Sequence, residues 1–238
     1  MRALITWGGW DGHEPDLVAK QFSEMLTRKG HDVDIFDTLD CFDDPDELDN
    51  YDLIVPVWTM SELTKERAQN VSYAVSRGTG LAGCHGGMCD AFRSNVLWQF
   101  MTGANWVSHP GGDGVTYTVN ILDTSHELVA GIPNFEVTSE QYYLHTDPSN
   151  HVLATTRFPT VDWYHTPNGA VEMPVAWTRF WGLGRVYYNA LGHKQKVIAS
   201  GYAYEMLHRG LLWAGAGKAL AKANLHKLKE WENNYSNF

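Results

Sequence analysis

The first half of the chain alternates between two hydrophobic patterns. Short apolar segments, typical of buried strands, are separated by longer segments in which apolar residues recur every three to four positions, as they do in helices. The segments predicted as strands are residues 2–7, 31–37, 51–58 and 80–84. The segments predicted as helices are residues 15–29, 64–78 and 90–102. Pro15 suits the first turn of the first helix, and Thr64 suits the N-cap of the second.

Strands and helices that alternate at this spacing predict βαβ units and a parallel sheet. In such sheets, ligands bind beyond the carboxyl ends of the strands, near the point where the strand order reverses. The loops expected there are residues 8–13, 58–62 and 84–89, together with a loop after a later strand.

The second half of the chain has a different pattern. Residues 114–122 alternate between apolar and polar side chains, which indicates an antiparallel or edge strand. Further strands are predicted at residues 151–157, 174–179 and 184–191, and further helices at residues 202–213 and about 218–232. Gly182 and Gly184 suit a hairpin turn between the last two strands. Since no linker or repeat interrupts the pattern, we predict one α/β domain over residues 1–238, with a mainly parallel sheet and an antiparallel extension.

The composition restricts the possible partners. The formal net charge is −10, whereas nucleic-acid binding requires clustered Lys and Arg. No stretch approaches 18 consecutive apolar residues, so no membrane span is expected. Three cysteines, an odd number, argue against a disulfide framework and for a reducing compartment, so we expect the cytoplasm. The last helix is expected to be solvated, with a homo-oligomer contact as the alternative through Leu220, Leu225 and Leu228.

The segment "LAGCHGGMC" contains the pattern of a sharp turn between a strand and a helix. Such an elbow needs small residues two before and two after the side chain that it presents. The glycines stand at Gly83 and Gly87, so the presented residue is His85. Cys84 precedes this position and is expected to turn towards the core, while Cys89 lies on the following helix.

Several segments together resemble the ThuA-like (trehalose-utilisation) family. They are "ITWGGWDGHEP", "GLAGCHGG", "SHPGG", "SEQYYLH" and "PVAWTRFWGLGRVYYNALGH", and the resemblance extends over residues 2 to 217. It implies a flavodoxin-like, three-layer α/β fold of the class I glutamine amidotransferase-like superfamily. True amidotransferases carry Cys at the elbow, whereas ThuA-like proteins typically carry His. The resemblance therefore implies an enzyme of carbohydrate catabolism, acting on a disaccharide or keto-glycoside, and no glutamine amidotransferase activity.

Further histidines and one carboxylate fall in loops where the site is expected. His193 follows a late strand, where the amidotransferase-like arrangement has its triad histidine, and Glu140 matches an acidic residue usual in the family. We therefore predict His85, His193 and Glu140 as catalytic residues. The predicted substrate contacts are His13, His109, His145, Trp10 and Trp58.

Two chemistries suit this set of side chains. His85, His193 and Glu140 are ligand types for a divalent ion such as zinc, although no closely spaced histidine pair is present. Alternatively, the imidazoles and the carboxylate move protons at a sugar carbon beside a carbonyl without a metal. Two other classes remain open: a hydrolase that depends on Cys84 or Cys89, and a non-catalytic sugar-binding or regulatory protein.

Overall fold

A mixed sheet of nine strands forms the centre of the computed structural model, which describes residues 1–232. Within these residues the strands are β1 (Arg2–Gly9), β2 (Asp32–Phe36), β3 (Leu53–Thr59), β4 (Gly80–Cys84), β5 (Ala104–Ser108), β6 (Val115–Ile121), β7 (Phe135–Ser139), β8 (Tyr143–Thr146), β9 (His151–Phe158), β10 (Val171–Trp181) and β11 (Gly184–Asn189). The order in the large sheet is β2-β1-β3-β4-β11-β10-β9-β6-β7, and β5 pairs with β8 in a separate small sheet.

The half of the sheet that contains β1, β2, β3, β4 and β11 is parallel, and its strands are almost wholly buried apart from β2. The helices within the described residues are α1 (Pro15–Thr27), α2 (Pro45–Leu48), α3 (Lys65–Ser76), α4 (Gly86–Cys89), α5 (Val96–Thr102), α6 (Gly201–Lys222) and α7 (His226–Glu232). Thr64 caps α3 by accepting a hydrogen bond from the backbone N–H of Arg67, as predicted. The fold is therefore the predicted α/β arrangement with a large parallel part.

The antiparallel extension consists of β10, β9, β6 and β7. The hairpin between β10 and β11 turns at residues 182 and 183, as the glycines predicted, and pairs Trp181 with Gly184. This hairpin joins the two halves because β11 also pairs in parallel with β4.

The helix predicted over residues 90–102 is wrong in its first half. The helix α4 ends at Cys89, and α5 begins only at Val96, where the side chain of Asn95 caps it. Between them, the carbonyls of Asp90 and Ala91 accept hydrogen bonds from the backbone of the loop that follows β3, at 3.0 and 2.8 Å. The segment is thus held against that loop and forms turns and bends instead of a helix.

The two helices predicted over residues 202–213 and 218–232 are also wrong in their boundaries. A single helix, α6, extends to Lys222, and a separate short helix, α7, follows. The glycines within α6 allow close packing instead of ending the helix. A Cβ on Gly210 would lie 2.2 Å from the ring of Tyr187, and one on Gly215 would lie 2.1 Å from the sulfur of Met1.

Three short strands, β5, β7 and β8, were not predicted. They have four or five residues each, and none is a continuous apolar segment. Their pairing partners lie far along the chain, so local pattern alone carries little signal. They matter for the site because His109 follows β5 and Glu140 follows β7 directly.

Candidate functional site

The elbow after β4 presents His85 in a strained backbone conformation. His85 has φ 49° and ψ −137°, although residues other than glycine rarely adopt positive φ. The flanking glycines are required by space, since a Cβ on Gly87 would lie 3.0 Å from the Cα of Val57. A Cβ on Gly83 would lie 3.2 Å from the carbonyl oxygen of Pro56. The predicted turn and its predicted tip residue are therefore present in the structure.

The glycine after His85 serves a different purpose. A Cβ on Gly86 would lie 2.4 Å from Cε1 of the His13 ring. Only glycine therefore allows the His13 imidazole to approach the elbow. The Nδ1 atom of His13 lies 2.9 Å from the hydroxyl oxygen of Thr59, which fixes the orientation of the ring.

Three imidazoles and one carboxylate converge beyond the ends of β1, β4, β7 and β11. One potential ligand atom from each of His13, His85, Glu140 and His193 lies within 4.8 Å of those of the other three. The Oε2 atom of Glu140 lies 3.1 Å from Nε2 of His85 and 3.2 Å from Nδ1 of His193. All four residues are buried. We call these four residues the His₃Glu centre.

The tautomer of His85 follows from its backbone contact. Its Nδ1 lies 2.8 Å from the carbonyl oxygen of Ala190, and a carbonyl can only accept, so Nδ1 carries a proton. In the neutral ring, Nε2 then presents a lone pair towards the Glu140 oxygen at 3.1 Å. The ring of Tyr142 stacks on the imidazole, with centroids 3.9 Å apart and planes inclined by 25°, and limits its rotation.

Burial controls the charges in the His₃Glu centre. It lowers the pKa of His13 to about 2, and it also lowers the pKa of His85, so both imidazoles are neutral near pH 7. Burial alone would raise the pKa of Glu140, but contacts with His193 and His85 hold that pKa well below its usual range. The centre thus combines an ionised carboxylate with the neutral imidazoles of His13 and His85.

This donor set fits a divalent metal ion. Two electron-rich atoms, Nε2 of His85 and Oε2 of Glu140, face each other without a donor between them in the neutral form of the ring. Nδ1 of His193 is buried and has no hydrogen-bond partner within the described residues, although it lies close to the same carboxylate. The hydrogen bond from Nδ1 of His85 to a backbone carbonyl is the outer contact that metal-bound histidines usually make. Neutral imidazoles with one carboxylate suit zinc and similar ions.

The cysteines near the elbow are unsuited to nucleophilic catalysis. Cys84 and Cys89 are both buried. Burial raises the pKa of the Cys84 thiol to about 12 and also raises the pKa of Cys89. Because the thiolate is the reactive form, neither cysteine is activated. A Cβ on Gly192 would lie 3.0 Å from the Cys84 sulfur, so this side chain packs closely against the chain at Gly192.

The predicted substrate contacts divide into two groups. His13 joins the His₃Glu centre itself. Trp10 lies next to it, with ring centroids 4.8 Å from His13 and 6.4 Å from His193. His109 also faces the centre, with Nε2 3.7 Å from the Oε1 atom of Glu140.

The structure does not bring His145 or Trp58 to the centre. His145 is exposed on β8, and it lines a separate groove with Phe100 and Asp147. Trp58 donates a hydrogen bond to Ser61 and covers Gly8. His145 lies on β8, whose register turns its side chain outwards. The ring of Trp58 is held by its close packing against Gly8.

Two residues near the centre were not predicted. Tyr142 stacks on His85, and Asp113 lies with Oδ1 3.9 Å from Nε2 of His193. Asp113 stands in the sequence "GGDG", and Tyr142 stands two residues after Glu140 in "SEQYYLH".

Comparison with known proteins gives the family. The family model described as "ThuA: Trehalose utilisation" matches residues 2–214. The chain belongs to this family. The match covers nearly all of the segment in which the resemblance was expected, and it includes every residue of the His₃Glu centre. A search of curated proteins found no match.

Solved structures confirm the fold of this ThuA-family chain. A ThuA-like protein from Bacteroides uniformis ATCC 8492 superposes with a TM-score of 0.73 at 16% identity, covering 90% of this chain and 91% of that chain. Another from Parabacteroides merdae ATCC 43184 gives 0.69 at 20% identity, covering 91% and 90%. A cytoplasmic protein from Salmonella typhimurium LT2 gives 0.59 at 14% identity, covering 92% and 99%. These likenesses concern the fold alone.

The search for membrane-spanning segments gave a negative result. Among the helices of the described residues, none combines the length and the apolar character needed to cross a membrane.

Proposed function

We propose that this ThuA-family protein is an enzyme of carbohydrate catabolism and that the His₃Glu centre is its active site. The substrate class is a disaccharide or keto-glycoside of the trehalose-utilisation type. The observation that supports the proposal best is the convergence of His13, His85, Glu140 and His193 within 4.8 Å in a buried position. Burying four polar groups together is costly unless they are paired or bind a ligand, so such clusters mark functional sites.

We further propose that these four residues hold a divalent metal ion such as zinc. When bound, such an ion polarises a carbonyl oxygen or lowers the pKa of a water molecule. The contact of His85 with Ala190 and the stacked Tyr142 ring hold the imidazole in position without any movement of the elbow. The strain at His85 supports this assignment, because strained backbone persists where the surrounding structure demands it.

With the four residues acting as ligands, His109 is the imidazole placed to move a proton. Its side chain is 37% exposed, and Nε2 lies 3.7 Å from Glu140 Oε1. On a keto-glycoside, His109 would accept the proton of the carbon beside the carbonyl, and the electron pair of that C–H bond would pass into the enolate. Imidazole is the side chain that most often serves as the general base in such a step.

The metal proposal is tested on protein purified without a polyhistidine tag. We expect a stoichiometric divalent ion by elemental analysis, and we expect H193A and E140Q to lose it. H145A is the matched control, because it removes a histidine that lies outside the centre, and its metal content should be unchanged. Turnover is followed with trehalose and its 3-keto form. A protein that turns over these compounds but contains no metal would contradict the metal assignment.

Metal-free acid–base catalysis is the second candidate. It is favoured by the direct approach of His85 Nε2 to Glu140 Oε2, which suits a shared proton as well as a cation. In that case His85 and His193 act as base and acid, and Glu140 orients them. Activity that survives exhaustive chelation but is lost in H85A and H193A would support this candidate.

The remaining expectations belong to the same proposal. We place the enzyme in the cytoplasm, with a small carbohydrate as its ligand and no nucleic acid as a partner. A homo-oligomer remains a prediction. Of the three leucines considered for such a contact, Leu228 is buried within the chain and Leu220 is exposed. A sugar-binding protein without catalysis would bind these glycosides tightly and leave them unchanged.

A further inference from the structure

Three partly exposed side chains lie against the buried His₃Glu centre, and we call this side of the centre its approach. Trp10 is 46% exposed, and its ring is inclined by 74° to that of His13. The side chain of His109 is 37% exposed and that of Asp113 is 42% exposed. Each of the three contacts a different member of the centre. A molecule that comes to the centre from this side meets a large aromatic ring, an imidazole and a carboxylate.

The Asp113 carboxylate is available to a ligand. Its Oδ1 lies 3.9 Å from Nε2 of His193, which is too long for a direct hydrogen bond. Within residues 1–232, Asp113 accepts no hydrogen bond from a backbone or side-chain donor, as the structure describes them. The neighbouring Gly112 and Gly114 have open space where a side chain would stand, so the loop leaves room around the carboxylate.

The cations close to this approach already have partners. The ammonium group of Lys194 donates to the carbonyl of Gly12 and lies 4.0 Å from Glu14. The guanidinium of Arg93 pairs with Asp90 and lies over the ring of Trp106, 4.2 Å from its centroid. Trp106 in turn contacts His109. Among the residues that the structure describes here, the Asp113 carboxylate is thus left without a Lys or Arg partner.

We propose that Asp113 and Trp10 form a subsite for one ring of a neutral sugar and that Asp113 excludes phosphorylated sugars. This inference rests on the proposed function and adds the charge class of its substrate. Two adjacent hydroxyl groups of the sugar donate to the two oxygens of Asp113, because an ionised carboxylate only accepts. The C–H face of the ring packs on the Trp10 indole, which combines a large apolar surface with a polar edge. A phosphate in the same place would be repelled by the negative charge of the Asp113 carboxylate.

The subsite is tested by calorimetric binding of trehalose, its 3-keto form and trehalose 6-phosphate. Wild-type protein should bind the better of the two neutral compounds at least tenfold more tightly than trehalose 6-phosphate. D113N should weaken binding of the neutral compound about tenfold, the loss expected for one charge-assisted hydrogen bond. D113K should reverse the preference in favour of trehalose 6-phosphate. The control is E136Q, which removes one charge from an exposed position on β7, and it should bind as the wild type does.

The role of Trp10 is tested by a pair of substitutions. W10F should keep part of the affinity for the neutral sugar, while W10A should lose at least tenfold. The metal content of D113N should equal that of the wild type, because Asp113 lies outside the His₃Glu centre. This measurement separates loss of a sugar contact from collapse of the centre.

The outcomes distinguish this inference from the proposed function. If the wild type binds neither neutral glycoside, both are overturned. If the wild type binds them and D113N binds them equally well, only the subsite is overturned. If trehalose 6-phosphate binds the wild type as tightly as trehalose does, the exclusion of phosphorylated sugars is overturned.

Discussion

Two tight turns of this molecule solve similar packing problems in different ways. At the β10–β11 hairpin, the positive φ falls on Gly182, where a Cβ would lie 2.5 Å from the carbonyl oxygen of Ser76. At the elbow, the positive φ falls on His85, and the glycines stand beside it. Glycine adopts positive φ without strain, whereas histidine does not. The hairpin therefore turns without backbone strain at its positive-φ residue. The elbow is strained at the residue that presents the imidazole.

The largest effect should come from removing the imidazole at the elbow. H85A should reduce turnover of the keto-glycoside by about 10²–10⁴-fold, the range for loss of a positioned acid–base or ligand group. It should also abolish stoichiometric metal binding. Thermal stability should also fall, because the variant loses the hydrogen bond to Ala190, the contact with Tyr142 and the bound ion. An H85A protein with full activity would show that the strain at this position has no catalytic purpose.

A smaller effect on the same centre is expected from G86A. The new Cβ would lie 2.4 Å from the His13 ring and would push it away from the other ligands. Gly86 acts through the position of His13, and loss of a contact that orients a metal ligand typically lowers metal affinity by about 10–100-fold. Metal affinity is measured by competition with a chelator of known strength. Unchanged affinity in G86A would mean that His13 does not contribute to the centre.

A substitution in the β10–β11 hairpin should change only the free energy of unfolding. G182A should lower the free energy of unfolding by about 2 kcal/mol or more, from strain at φ 57° together with the clash at Ser76. Gly30 is the matched control, since it has φ 76° but open space around its Cβ position. G30A therefore measures the cost of positive φ without a clash. Denaturant unfolding gives both values, and an equal cost in the two variants would remove the packing argument. Metal content should not change in either.

The smallest effect should come from thiol reagents. Because burial raises the pKa of Cys84 to about 12, almost no thiolate exists there near pH 8, and alkylation should leave turnover unchanged. Rapid inactivation at pH 8 that is prevented by a substrate would favour a cysteine-dependent hydrolase instead.

The same pKa makes the stability of the protein depend on pH. Above about pH 9 an unfolded thiol loses its proton while the folded Cys84 keeps it, so stability should fall as pH rises from 9 towards 12.

The sequence predicted the local parts of this protein well. Short apolar strands, the helices α1 and α3 and the turn at Gly182 all follow from patterns within about fifteen residues. The elbow belongs to the same class, because two glycines around one residue are a local requirement. The predicted helix boundaries were wrong where the backbone hydrogen-bonds to, or packs against, residues far away in the sequence. The segment after Cys89 bonds to the loop after β3 instead of forming a helix, and α6 continues through glycines that pack against the sheet.

The sequence by itself therefore determined the strand–helix alternation and the residue at the tip of the elbow. It also supplied the list of histidines from which the site is built. Only the tertiary structure decided which of them meet: His13, Glu140 and His193 join His85, whereas His145 does not. The physical reason is that these residues follow strands far apart in sequence, and the strand order and register alone bring the ends of those strands to one edge of the sheet.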